Sequence, residues 1–439
     1  MLRETRVKNG NLKGLPGNDP RVTVYKGIPF AAPPLGDLRW HKPEPAPDWE
    51  GTLNAYTFGP ISMQDRPGVG DDIYCREWHV DKDIPMDEDC LYLNVWTPAM
   101  STKDRLPVLV WYFGGAFQWG YTAEMEFNGE RLARRGIIVV SVNYRLQAFG
   151  FLAHPGLTAA DPGSPANFGL LDQQAGLKWV YENIEAFGGD PKNITVAGQS
   201  AGGGSVLNQI CDPENYGMIK GAVVLSGMIR FPGDDILTPA SLEKACEKGE
   251  DFLRYLGASS INEARSIDKV RIRDAYGEYV KDNPRFAPVL DKTHYRYDPY
   301  ECFMNNKRAD IPVITGYTPD EFVIGGVNRV KESVHNAVKG ALAAGGDPEI
   351  YVYEFAPTIP GPDDPGVFHS SDLWFWFETL NMCWRPFGGA HFELARRMCD
   401  CFADFVKYHT PNPPQRPKDD PQYWHPACEN SLNIMQFKC

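Results

Sequence analysis

Ile194-Thr195-Val196-Ala197-Gly198-Gln199-Ser200-Ala201-Gly202 is the stretch that decides the fold. Four strand-forming residues run straight into Gly-x-Ser-x-Gly, and Val206, Leu207 and Ile210 follow at helical spacing. A serine held on a sharp strand-to-helix turn needs glycines beside it, because the backbone segments there pass closer than a Cβ allows. The helix N-terminus adds partial positive charge and lets the Ala201 N–H point at negative charge developing on a bound group. The pattern predicts a nucleophile at Ser200. Five residues alone also fit a plain glycine-rich turn, so the rest of the chain has to supply the partners.

Upstream, Pro107 to Phe113 is a continuous apolar run ending in Gly114-Gly115, as suits a strand buried on both faces of a mainly parallel sheet. A helix is predicted over roughly Glu124 to Arg135, a strand over Ile137 to Asn143 and a helix over Asn167 to Phe187. Downstream, Gly221 to Gly227 repeats the strand-then-glycine pattern, residues 241 to 285 read as charged helices, and Ile311 to Gly316 and Ile350 to Phe355 read as strands. A helix from about Phe392 to Lys407 and a proline-rich extended tail from Pro411 close the chain. Strands alternating with helices predict an α/β architecture. Residues 1 to 60 read instead as short strands broken by Pro29, Pro33, Pro34 and Gly36, a small N-terminal β-region. No internal repeat or linker interrupts residues 1–439, which predicts one domain.

Composition narrows the function classes. Hydrophobic residues at 43% and charged residues at 23% are ordinary globular usage and exclude disorder and collagen-like repeats. A formal charge of −13 repels phosphate backbones, so nucleic acid is not an expected partner. No apolar run approaches the ~18 residues of a membrane-spanning helix. Met1 to Lys8 alternates charged and apolar residues, with no secretion signal visible. The ten cysteines include no Cys-x-x-Cys pair, and Cys399-Asp400-Cys401 is too tight for ordinary zinc spacing; no metal or cofactor is predicted. Their scatter fits buried thiols in a reducing compartment, and the cytoplasm is the expected location. Oligomeric state is not legible.

A serine nucleophile needs an imidazole, and the imidazole needs a carboxylate to hold its tautomer and stabilise its charged form. In hydrolases built on such an elbow these follow the serine in the order acid, then histidine. His369, in the loop Pro365-Gly366-Val367-Phe368-His369-Ser370-Ser371 after a predicted strand, is the candidate base. His391 and His409 lie in or at the end of the C-terminal helix and read as surface or packing residues. Glu321 follows a buried strand in Gly316-Tyr317-Thr318-Pro319-Asp320-Glu321 and is the candidate acid, with Asp320 open on chemistry alone. Gly114-Gly115-Ala116-Phe117, one strand-helix unit ahead of the serine, is placed to supply oxyanion donors.

Several long segments resemble the type-B carboxylesterases, the family of the cholinesterases and para-nitrobenzyl esterases. They are Gly27-Ile28-Pro29-Phe30-Ala31-Ala32-Pro33-Pro34, Glu88-Asp89-Cys90-Leu91-Tyr92-Leu93-Asn94-Val95-Trp96, the Gly114 loop, Asn143-Tyr144-Arg145, and Gly198-Gln199-Ser200-Ala201-Gly202-Gly203. The resemblance implies the α/β-hydrolase fold and ester hydrolysis through an acyl-enzyme. It implies Ser200 as nucleophile, Glu321 rather than Asp320 as acid, His369 as base, and oxyanion N–H donors at Gly115, Ala116 and Ala201. It implies supporting roles for Gly114 and for Ser226, beside the acid. The expected partner is a small-molecule ester; a specialised esterase for hydroxycinnamate or other bulky aromatic esters, and a non-catalytic binding member, are the alternatives.

The chain also departs from the family pattern. Gln199 stands where glutamate is common, Ala116 where glycine is common, and Cys90 lacks its usual partner near Ser62 unless Cys75 substitutes. Phe117, Trp119, Phe168 and Trp374 are candidates to line a substrate pocket, apolar as such pockets mostly are.

Overall fold

Alternate residues of the central strands feed two different hydrophobic cores, and this two-sided burial builds the molecule around its sheet. Val108, Val110, Val196, Ala222 and Val224 point to one side, while Leu109, Trp111, Ala197, Val223 and Leu225 point to the other. A strand buried on both faces carries no polar stripe, which is why these segments read as unbroken apolar runs. The computed structural model describes residues 1–231, 233, 237–346 and 348–439.

The main sheet has ten strands: β1 (Leu15–Pro16), β2 (Thr23–Pro29), β3 (Tyr92–Thr97), β4 (Leu106–Tyr112), β5 (Ile138–Val142), β6 (Gly189–Gln199), β7 (Ile219–Leu225), β8 (Val313–Tyr317), β9 (Ile350–Phe355) and β10 (Met435–Phe437). Their spatial order is β10-β9-β8-β7-β6-β4-β5-β3-β2-β1. Pairs from β10 to β5 are parallel and those from β5 to β1 antiparallel. Val196 of β6 faces Val110 of β4 and Ala222 of β7, so β6, which leads into Ser200, lies deep within the sheet.

Helices cover both faces. On one side pack α1 (Phe168–Asn183), α2 (Ala201–Cys211), α3 (Pro299–Met304) and α4 (Arg329–Ala343); on the other packs α5 (Gly389–Tyr408), through Leu394, Met398, Phe402 and Phe405. The N-terminal β-region is present as a separate three-stranded sheet of Glu4–Val7, Gly10–Lys13 and Thr52–Asn54.

One predicted element differs. The helix expected from Glu124 to Arg135 is reduced to Glu130–Ala133. Glu124 Oε1 accepts from the Tyr121 N–H at 2.9 Å, and Asn128 Oδ1 accepts from the Glu130 N–H at 3.0 Å. These side-chain bonds compete with helix formation and hold residues 124–129 in turns.

Candidate active site

The three predicted triad residues follow three parallel strands of the sheet, two of them adjacent and the third one strand away across β7. Ser200 follows β6, Glu321 follows β8, and His369 lies in the loop after β9. Several residues there hold positive φ without being glycine: Ala116 (φ 55°), Phe117 (60°), Ser200 (57°), Ser226 (43°), Phe322 (44°) and Ser370 (77°). Each such conformation costs on the order of 1–3 kcal/mol and persists only where its surroundings impose it.

At Ser200 those surroundings are explicit. The residue has φ 57° and ψ −124°, and its N–H donates to the Leu225 carbonyl at 2.9 Å, tying the turn to the end of β7. A Cβ on Gly198 would meet the Tyr112 carbonyl oxygen at 2.8 Å and would collide with Gly202; one on Gly202 would collide with the Tyr112 carbonyl. Both glycines are therefore steric requirements of the elbow. A Cβ on Gly114 would lie 2.7 Å from the Gln199 carbonyl oxygen and 3.2 Å from the Ser200 Cβ, so the predicted oxyanion loop runs directly against the serine.

Gly115 (φ 98°), Ala116 and Phe117 turn that loop through left-handed conformations. Among the described residues, the N–H groups of Gly115, Ala116 and Ala201 find no protein acceptor. Ala201 is 1% exposed, and an unpaired buried N–H is rare in folded proteins. The three donors implied for an oxyanion are thus among the N–H groups left unspent.

Glu321 is 1% exposed and fully engaged. Its Oε1 accepts from the Ser226 hydroxyl at 3.0 Å and from the Thr318 N–H at 2.8 Å, and its Oε2 pairs with His369 Nδ1 at 2.5 Å. A carboxylate on Nδ1 selects the tautomer that leaves the Nε2 lone pair free. Asp320 has other work: its Oδ2 accepts from the Val367 N–H at 2.7 Å, pinning the histidine loop to the glutamate loop.

Other groups at the site were not found by reading the sequence. The Gln199 side-chain amide lies 3.3 Å from His369 Nε2 and donates to that lone pair. The Phe322 ring stands edge-on to the imidazole at 4.8 Å, and the Tyr74 hydroxyl donates to the His369 carbonyl at 3.4 Å. Asp372 is wholly buried, accepting from the Tyr353 hydroxyl at 2.8 Å and Trp376 Nε1 at 3.2 Å. Burial pushes its carboxyl up to about 6, with the Glu321 charge adding to the rise. Its one visible sequence signal is a lone acid at the head of Leu373-Trp374-Phe375-Trp376.

Phe117 lines a small cavity of about 20 Å³ with Gly204, Leu207, Gly227, Tyr295 and Tyr300. The other aromatic pocket candidates do not line this cavity. Phe168 packs under the Arg145 guanidinium at 5.6 Å, Trp374 packs edge-on to Trp78 at 6.0 Å, and Trp119 sits beneath Arg285 at 5.3 Å. Phe168 and Trp374, each 1% exposed, belong to the core because their flanking residues bury them there. All ten cysteines are free, and Cys90 sits beside the Ser62 hydroxyl, so Cys75 does not substitute for a bridging partner. Among the described residues no group of three His, Cys, Asp or Glu side chains is arranged to hold a metal, and no helix is long and apolar enough to cross a membrane.

A mainly parallel sheet with a strained serine elbow, and a glutamate and histidine supplied by later strand ends, defines the α/β-hydrolase fold. The model of the carboxylesterase family matches residues 3–339 and 328–439, and the chain belongs to that family. It is 37% identical to the para-nitrobenzyl esterase of Bacillus subtilis (strain 168) over 322 residues, 71% of this chain and 61% of that one. To the fumonisin B1 esterase of Sphingopyxis macrogoltabida it is 35% identical over 323 residues, 73% of this chain and 56% of the relative. The chain thus spans well under two thirds of the length of these relatives. Among solved structures, a PNB esterase superposes with TM-score 0.84 at 28% identity, covering 100% of this chain and 96% of the other. A carboxylesterase of Geobacillus stearothermophilus superposes with TM-score 0.81 at 27% identity, covering 99% and 96%.

Proposed function

We propose that this chain is a serine carboxylesterase that hydrolyses small-molecule carboxylic esters through an acyl-enzyme. The observation that carries the reading is the relay Ser226 to Glu321 to His369, whose Nε2 meets the side chain of Gln199, the residue next to the strained Ser200. Ser200 Oγ attacks the ester carbonyl while His369 Nε2 takes its proton, and the imidazolium is held by the Glu321 carboxylate. The carbonyl oxygen, now carrying the charge, accepts from the N–H groups of Gly115, Ala116 and Ala201. Removing one donor of such a set typically costs about 10²–10³-fold in rate. The imidazolium returns its proton to the departing alcohol, and water repeats the sequence to release the acid and regenerate Ser200. The relatives named for para-nitrobenzyl and fumonisin B1 esters support an ester substrate. The ten free thiols support a reducing compartment.

Hydrolysis of short para-nitrophenyl esters tests the reading. Ser200→Ala is expected to lose roughly 10⁴–10⁶-fold in kcat, and an organophosphonate is expected to label the parent at Ser200 alone. Undiminished turnover in the variant rejects the assignment. An unlabelled, inactive parent identifies the chain as a non-catalytic binding protein.

A further inference from the structure

A histidine that returns a proton to the departing alcohol faces that alcohol, so the side chains around its imidazole help to decide which alcohols fit. One of them is Phe322, whose ring lies edge-on to the His369 imidazole at 4.8 Å. Phe322 holds φ 44°, a left-handed conformation that a bulky residue adopts only under constraint. The constraint is a hairpin: Val323–Ile324 pairs antiparallel with Val327–Asn328, and the Arg329 N–H donates to the Phe322 carbonyl at 3.2 Å. Asn328 roots it. Its Nδ2 donates to the carbonyls of Thr318 (2.7 Å) and Pro319 (2.9 Å) in the acid's loop, and its Oδ1 accepts from the Lys331 N–H (2.8 Å) in the first turn of α4.

This firmly rooted hairpin presents an apolar surface to water. From Phe322 to Val327 it carries only apolar residues and glycine. Phe322, Val323, Ile324 and Val327 are 39–51% exposed, whereas the His369 side chain behind them is 11% exposed. A Cβ on Gly325 or Gly326 would meet nothing within 4 Å among the described residues, so the tip is unpacked. Single exposed apolar residues are ordinary; four on one hairpin that starts at the imidazole form a patch of the kind that marks a binding surface. The other side of Ser200 is closed. The cavity beside Phe117, reached past Gly204 one helical turn from the serine, is about 20 Å³ and holds about one water-sized group.

We propose that the substrates are esters of a short acyl group, acetate in size, with a large uncharged apolar alcohol, and that the hairpin of Phe322, Val323, Ile324 and Val327 is the surface that binds the alcohol. The acyl methyl enters the cavity beside Phe117. The ester's alcohol oxygen faces His369 Nε2, and the carbon chain or ring attached to it runs outward over Phe322 and along the hairpin. Water leaves both apolar surfaces, which strengthens binding with each added carbon. The same geometry rejects bulky acyl groups, hydroxycinnamate included, because a ring does not fit a space of one small group. The proposal rests on the hydrolase reading and names the substrate class of that site.

Hexyl acetate and ethyl hexanoate test it, being isomers that differ in which side of the ester carries the chain. Hexyl acetate is expected to be hydrolysed with a kcat/KM about 30-fold higher, and KM is expected to fall about twofold per methylene from ethyl to hexyl acetate. Phe322→Ala and Ile324→Ser are each expected to cut the preference for hexyl acetate about fivefold, through KM more than kcat. Met100→Ser removes an apolar side chain that is 67% exposed near the start of β4, the end away from the oxyanion loop, and is expected to leave the preference unchanged. Equal rates for the isomers, faster hydrolysis of ethyl hexanoate, or a preference that survives both hairpin variants overturns the proposal. A parent dimer that Ile324→Ser dissociates with the preference intact also overturns it and assigns the hairpin to a second copy of the chain. Phosphonate labelling of Ser200 reads the hydrolase assignment separately: a labelled protein without the preference loses this inference alone.

Discussion

The two halves of the candidate site are held by different forces. The serine elbow is fixed by sterics within one short stretch: Gly198, Gly202 and the Tyr112 carbonyl leave no room for a single extra carbon. The acid and base stand 48 residues apart in the chain and are fixed by hydrogen bonds from three strand ends. Past Glu321 the chain turns into a short exposed hairpin, Val323–Ile324 paired with Val327–Asn328, rather than into core. A steric constraint fails abruptly when volume is added, whereas a hydrogen-bonded constraint weakens by degrees as donors are removed.

Four substitutions separate these behaviours. The largest effect is expected from Glu321→Gln, which keeps the shape but loses the charge opposite His369 Nδ1 and favours the wrong tautomer. A fall of about 10³–10⁴-fold in kcat against nitrophenyl esters is expected, with Tm nearly unchanged. A loss below tenfold would mean that hydrogen-bond geometry alone orients the imidazole. Gly202→Ala adds the one carbon the elbow excludes, and should cost more than about 3 kcal/mol or abolish soluble expression. Near-parental denaturant unfolding of that variant would refute the steric account.

Asp372 tests how much the buried acid behind the histidine costs the fold. Its carboxyl is raised to about 6 in the native state, against about 3.9 unfolded, so between those values the folded protein holds a proton the unfolded chain has released. Stability contributed by this group therefore falls as pH rises from about 4 to 6 and levels off above. Asp372→Asn should remove that slope and gain on the parent by up to about 3 kcal/mol between pH ~4 and pH ~7, read by urea unfolding at both. Parallel stability curves for the two proteins would contradict the shift. The smallest effect is expected at Ser226→Ala, where Glu321 Oε1 keeps the Thr318 N–H but loses one hydroxyl: about fivefold in kcat/KM, or ~1 kcal/mol.

The sequence carried the elbow in full. Its glycines, strand and helix are contiguous, and steric demand writes itself into neighbouring residue types. The α/β rhythm was equally legible, because strands buried on both faces become unbroken apolar runs. The choice of Glu321 over Asp320 was different: both are carboxylates after the same strand, and only the folded loops turn one to His369 and the other to the Val367 N–H. For aromatic residues near the motifs the sequence left pocket wall and core packing both open, and the fold places Phe168 and Trp374 in the core. The Gln199 amide at the imidazole was invisible for the same reason. Sequence determined what the backbone must do locally, and tertiary structure alone decided which distant polar atoms meet, because a hydrogen bond is a matter of a few ångströms between segments whose spacing along the chain says nothing about their distance in the fold.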